Sequence, residues 1–309
     1  MDPLLLLVQL LNGVQLGLLL FLVAAGLTLV FGILDVINLA HGVLYMVGAY
    51  AAAVVLVRSG HFALAVLAGP LVALGAGLAL DRLVLRFVYD RDHLDQVLAT
   101  FGVLIFVNEL VRVLFGPAAL PFPLPAGFEW SVRLPGGATY PAWRLAIIAA
   151  GAILAFLLFW VLTRTRAGML VRAAATDPAM LEMLGVDVRR LFLLVLGAGA
   201  ALAGFAGAMA GPIVAVQPGM GDQILILAFV VIVTGGTGSV QGALLGSLLV
   251  GLADTLGRSF LTDMLRLALP PAAANEVGPA LASMLIYLVM AGVLLARPRG
   301  LMPVRRAAR

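Results

Sequence analysis

The sequence predicts an all-α, polytopic membrane bundle of about eight helical spans, some of them interrupted. Three observations lead there. Of the 309 residues, 63% are hydrophobic and only 11% charged, whereas a soluble domain is typically about half apolar and about a quarter charged. The mean hydropathy is +1.14, and a water-soluble particle of this size has nowhere to put so much apolar surface. The apolar residues also gather in runs, several of them near the ~20 residues that cross a bilayer. Soluble enzyme classes are therefore excluded, and residues 1–309 are expected to form a single transmembrane unit.

The elements follow in order along the chain. Leu10–Phe31 is the first apolar run. A polar interruption from Leu34 to Gly42 leads into a second, Val43–Val57. Further spans are expected at Ala63–Val84, Leu94–Phe115, Leu145–Leu162 and Leu191–Val214. The run Gln223–Thr234 breaks at Gly235-Gly236-Thr237-Gly238-Ser239 and resumes over Val240–Leu256, and Ala280–Leu295 is the last. The two breaks form a faint internal echo, and interrupted segments in corresponding positions point to a transporter's substrate path.

Arginine placement orients the spans, because positively charged loops stay in the cytoplasm. The turn with Arg82, Arg86 and Arg91 is expected inside. So are the segment 163–190, with Arg164, Arg166, Arg172, Arg189 and Arg190, and the tail 297–309, with Arg297, Arg299, Arg305, Arg306 and Arg309. The proline-rich stretch 116–143 carries only Arg133 and is expected outside, as is the loop 258–279. Counting the half-spans puts the N-terminus outside.

Two absences narrow the chemistry. The chain has no cysteine, which removes disulfides, thiolate catalysis, cysteine zinc sites and iron–sulfur clusters. All 19 basic residues are arginine, and without lysine no P-loop can be completed. Any ATP that drives this protein must be bound by another chain. The net charge of +4 is scattered between apolar spans, so nucleic acid is not an expected partner. No cofactor is expected either. The first arginine is Arg58, so the positive start of a cleaved signal peptide is missing and the first apolar segment is expected to stay as an anchor.

Few polar residues remain for function. Asp35, Asn38 and His41 lie beside a crossing, where a charge at the bilayer centre costs about 2.5–3.5 kcal/mol. They either cap a helix end, as Asp and Asn do well, or line a polar pathway with Gly42 and Tyr45, the latter one turn after His41. The glycines of 235–239 either form a tight turn between spans or free backbone groups for a polar solute. Gly207-x-x-x-Gly211 and Gly242-x-x-x-Gly246 have the spacing of close helix packing. Glu109 and Arg112 share a helix face and are expected to pair. Asp254 is expected at the interface, near the end of its run. The stretch Asp90–Asp95 superficially resembles a metal cluster, but no metal site is expected: Asp92 is placed to cap the next helix and Asp95 to favour its positive end.

The segment 163–190 also carries a helix start, with Asp177 as N-cap and Pro178 at the first helical position. Gly185 is placed to end that helix. About two turns would then present Met180, Leu181, Met183 and Leu184 on the cytoplasmic side, either to the membrane surface or to a groove in another protein.

Several of these stretches resemble the landmarks of a known family. Gly26-Leu-Thr-Leu-Val-Phe-Gly32 through Asn38-Leu-Ala-His41-Gly42, followed by Met46-Val-Gly48-Ala-Tyr50, resembles the opening signature of bacterial branched-chain amino-acid ABC permeases. The match is to the H-type subunit of the Liv system more than to its M-type partner. Arg172 through Gly185 is similar to that family's cytoplasmic coupling segment, and Gly235–Gly246 and Arg297–Met302 to its later landmarks. The external loop and the stretch 258–279 match least.

The resemblance implies an importer subunit in the bacterial inner (plasma) membrane, moving branched-chain or other hydrophobic amino acids inward by alternating access. It implies as partners two cytoplasmic ATPase subunits, a second, M-type permease, and a periplasmic or extracellular solute-binding protein that carries most of the specificity. Asp177, Pro178, Met180, Leu181, Met183, Leu184 and Gly185 then form the ATPase-coupling helix. Asn38, His41, Gly42, Tyr45, Gly235, Gly236, Thr237, Gly238 and Ser239 are the substrate-pathway candidates. A urea or short-amide permease of the same architecture is the near alternative. An ion-coupled transporter would need a relay through Glu109, Asp254 and His41, and a structural scaffold leaves the glycine breaks unexplained.

Overall fold

The computed structural model describes residues 3–125 and 127–302. Arg305, Arg306 and Arg309 of the predicted tail lie outside them. The helices are α1 (Pro3–Leu34), α2 (His41–Ser59), α3 (Phe62–Leu83), α4 (His93–Phe115), α5 (Ala142–Arg164), α6 (Arg166–Thr176), α7 (Pro178–Met183), α8 (Val188–Ala210), α9 (Met220–Gly235), α10 (Val240–Leu265) and α11 (Pro271–Ala296). A short antiparallel hairpin pairs β1 (Ser131–Arg133) with β2 (Thr139–Pro141). Among the described residues, 8 helices are long and apolar enough to cross a membrane. The 16-residue α9 is the shorter apolar one.

α1 is the centre of the bundle. It is apolar around its whole circumference, and every residue from Gly17 to Val30 is buried, which is where an all-round apolar helix belongs. α8, α9 and α10 pack around it, with α5 along one side. α2 and α3 form a second group against α8. α4, α5 and α11 lie at the periphery and keep large apolar side chains exposed, such as Phe106, Phe156 and Leu295, as helices facing lipid do.

Glycine brings the inner helices together. A Cβ at Gly48 would lie inside the backbone of Gly204 on α8, and one at Gly26 inside the backbone of Gly199. Both GxxxG pairs serve packing: Gly207 meets the backbone of Tyr45, Gly211 the ring of Phe122, and Gly242 and Gly246 the backbone of α9.

The bundle has two unlike ends. At one, the start of α1 meets the hairpin region, where Tyr140 donates to Asn12 Oδ1 at 3.1 Å and Arg144 donates to the same oxygen at 2.6 Å. The other end is rich in arginine. There the last turn of α3 meets the first turn of α8, and α6 lies beside the α9–α10 turn. Tyr89, just past α3, donates to Asp81. Burial holds its hydroxyl well above the usual tyrosine range, the Asp81 bond and charge add to this, and Arg189 opposes them.

Three expectations are corrected. α10 continues to Leu265 and α11 begins at Pro271, so the loop predicted over 258–279 shrinks to 266–270. Asp254 consequently sits mid-helix, with a side chain 11% exposed, and is held by Arg258 at 2.7 Å one turn on. Pro271 occupies the first helical position of α11, where its missing N–H costs nothing. Of the two alternatives for 235–239 the tight turn between spans is the one realised: α9 and α10 reverse there and pack on each other. Finally, Asp92 stands at the N-cap of α4 but makes no side-chain cap bond. Glu109 and Arg112 do pair, at 3.2 Å. Among the described residues no group of three acidic or histidine side chains is placed to hold a metal.

Candidate functional site

The polar break before α2 is an unwound segment deep in the bundle. Asp35 takes a positive φ of 53°, turning the chain out of α1. Residues 35–40 then run back alongside the helices, and α2 starts only at His41. His41 is fully buried and lies beside the backbone of Val23. Val23 is 11 residues before the end of α1, roughly 16 Å along its axis at 1.5 Å per residue. Gly42 packs on Gly221 at the start of α9, and Tyr45 on Gly207 of α8.

Neither Asn38 nor His41 makes the helix-cap bond that one reading of this segment expects. Ala40 occupies the N-cap of α2, without a side-chain cap bond. Asn38 and His41 are completely enclosed, and neither makes a side-chain hydrogen bond of normal geometry among the described residues. Buried polar groups without partners carry a cost of about 1–3 kcal/mol each.

The second break lies elsewhere, at the arginine-rich end. Gly235, Gly236 and Ser239 are buried, Gly238 is half-buried and Thr237 is exposed. Gly238 sits against Gly32 near the end of α1, about 14 Å along α1 from Val23 by helical rise. The two sets of pathway candidates are therefore not one cluster. Ser239 caps α10, its Oγ accepting from Gly242 N–H at 3.0 Å. The tail closes over this turn: Leu301 N–H donates to Thr234 O and Met302 N–H to Gly235 O, each at 2.9 Å. These bonds satisfy carbonyls that the end of α9 leaves open. Gly300 permits the approach, because a Cβ there would meet the backbone N of Gly236 at 2.5 Å.

A cavity of about 340 Å³ separates this turn from α6, lined by Thr28, Gly32, Arg172, Thr176, Gly238 and Ser239 among others. Beyond it lies α7. Asp177 caps it as expected, Oδ1 accepting from Met180 N–H at 3.0 Å, and Pro178 takes the first position. Gly185 ends the helix with a φ of 83°. Met180, Met183 and Leu184 are 56%, 81% and 73% exposed, but Leu181 is turned inward at 5%. Leu181 thus anchors α7 to the bundle, and the outward apolar face is narrower than the sequence implies.

Residues 9–294 match the family described as the branched-chain amino acid transport system, permease component. The chain is 31% identical to the high-affinity branched-chain amino acid transport system permease protein BraD of Pseudomonas aeruginosa, over 82% of this chain and 87% of that one. It is 31% identical to LivH of Escherichia coli over 82% and 86% of the two chains. This chain belongs to that permease family. LivM of Escherichia coli is more distant, at 28% identity over 91% of this chain and 67% of its own, in keeping with the expected H-type likeness. No solved structure matches.

As a member of this family the chain is a multi-pass membrane permease, a transport subunit. In this permease three of the landmark stretches meet at one place: Gly32 of the first, Gly235–Ser239 of the later one, and Gly300–Met302 of the tail. Their glycines are explained by mutual backbone contact.

Sequence reasoning missed the partners of the unwound segment. Gln96 and Thr100, one turn apart on α4, are buried. Ile37 N–H donates to Gln96 Oε1 at 3.4 Å, and Leu39 N–H to Thr100 Oγ1 at 3.1 Å. Irregular backbone inside a membrane protein survives only where such groups satisfy it. The signal was present as two polar residues at i, i+4 in an apolar span. Thr100→Val should lower the stability of the purified permease by about 1–3 kcal/mol, since it strands the Leu39 amide. A thermal unfolding series checks this, with Thr100→Ser, which keeps the acceptor, restoring most of the loss.

Proposed function

We propose that this permease moves branched-chain or other hydrophobic amino acids into the cytoplasm as one half of an ATP-driven importer in the bacterial inner membrane. The observation that carries the reading is the α6–α7 arm. It is a capped helix anchored by Leu181 and presenting Met180, Met183 and Leu184 at the arginine-rich end. That end faces the cytoplasm by the positive-inside rule, which puts the prolines and hairpin of 116–141 outside. The apolar tip suits a groove in an ATPase subunit, and a chain without lysine cannot complete a P-loop itself. The substrate class rests on the names of BraD and LivH. The likeness to LivM supports a second, M-type permease as partner; two ATPase subunits and an external solute-binding protein complete the assembly.

Asn38, His41, Gly42 and Tyr45 are the inner pathway candidates in this reading. Enclosed polar groups held by an unwound segment between α1, α8 and α9 gain partners when the bundle opens toward a solute. Gly235, Gly236, Thr237, Gly238 and Ser239 act differently: they tie α9, α10 and the tail together beside the coupling arm, and so transmit its movement. The test is uptake of labelled leucine into vesicles holding the assembled system. Isoleucine and valine should compete and urea should not. Competition by urea with none by valine would assign the permease to short amides.

A further inference from the structure

At the arginine-rich end a cleft of about 500 Å³ opens between the last turn of α3 and the first turns of α8. Arg82, Arg86 and Arg189 line it together with Asp81, Leu78 and Leu193. Among the described residues, none of these three arginines is ion-paired with a carboxylate. Arg86 instead lies over the ring of Phe87 at 4.4 Å. Asp81 is 5% exposed, and its carboxylate already accepts from Tyr89. Three guanidinium groups thus face one carboxylate that is otherwise engaged, leaving an unbalanced positive cleft. The apolar surface continues from it: Leu71 and Leu78 of α3 and Leu194 of α8 are exposed.

We infer that this cleft binds the headgroup of an anionic phospholipid, with the acyl chains lying along α3 and α8. Guanidinium forks match phosphate oxygens, and basic pockets between membrane helices at the cytoplasmic side suit anionic headgroups. A zwitterionic amino acid fits poorly, because the only acidic group in the lining is buried and committed to Tyr89. The inference needs only the fold and holds whether or not the transport reading does.

The test uses the full chain, purified in detergent and titrated with phosphatidylglycerol or phosphatidylcholine, with bound lipid counted by native mass spectrometry. One phosphatidylglycerol should be retained at least tenfold more tightly than phosphatidylcholine. With about 1 kcal/mol per arginine near a membrane surface, each of Arg82→Gln, Arg86→Gln and Arg189→Gln should weaken it about fivefold, and the triple variant on the order of a hundredfold. Arg91→Gln, outside the cleft, should change nothing, and the triple lysine variant should retain most of the binding. Equal retention of both lipids, or undiminished binding by a triple glutamine variant that elutes as the native chain does, would overturn the inference. Displacement of the lipid by millimolar inorganic phosphate would reassign the cleft to a free anion.

Discussion

Met183→Asp combined with Leu184→Asp is expected to abolish ATP-driven uptake while leaving the permease folded in the membrane. The two side chains are 81% and 73% exposed at the tip of α7, so the bundle loses nothing when they become polar. Buried in a partner's groove, each would contribute about 1.5–3 kcal/mol. Removing both weakens association by roughly 3–6 kcal/mol before the cost of burying two carboxylates is added. Co-purification of the ATPase subunits should fail together with uptake. Leu181→Asp is not an equivalent variant: at 5% exposure it belongs to the core, and its carboxylate would unseat α7 from within. Uptake and association surviving the Met183/Leu184 pair would remove α7 from the coupling role.

Gly48→Val should deplete the folded permease altogether. Gly48 lies where α2 crosses α3 and α8, and an added Cβ would overlap the Gly204 backbone. No flexible side chain is there to yield, so two helices must separate. Overpacking typically costs about 1–3 kcal/mol and more where backbone must move, a large share of the ~5–15 kcal/mol that holds a typical domain together. Gly75→Val and Gly102→Val are the controls, since nothing lies within 4 Å of a Cβ at either site. The fraction running as a single species on gel filtration should fall several-fold for Gly48→Val and stay unchanged for the controls.

Much of this was legible in hydropathy. The span predicted at Ala63–Val84 differs from α3 by one residue at each end, and Leu94–Phe115 differs from α4 by one residue at its start, because helices that cross a bilayer must be apolar along most of their length. Where the boundary failed, polar residues were neutralised locally. Asp254 and Arg258 look like an exit from the membrane but pair within one turn, so α10 carries on. The first break was legible as a break and not as a conformation. Nothing in Asp35–Ala40 says that the chain runs back beside α1, because that depends on Gln96 and Thr100, some sixty residues away. The glycine turn was ambiguous for the opposite reason: glycine permits both an unwound span and a reversal, and contact between Gly235 and Gly242 decides for reversal. The helix α7 was legible from Asp177 and Pro178, but not the inward turn of Leu181, which depends on where α8 lies.

The claim that energy enters through α7 from another subunit is tested most directly by reconstitution. The permease is placed in liposomes with the proposed partner permease, ATPase subunits and binding protein, and uptake of labelled leucine is followed with ATP or with an ion gradient as the only energy source. Uptake should require ATP and the ATPase subunits, and a proton or sodium gradient alone should give none. Leucine accumulation driven by a gradient without ATP would contradict the account.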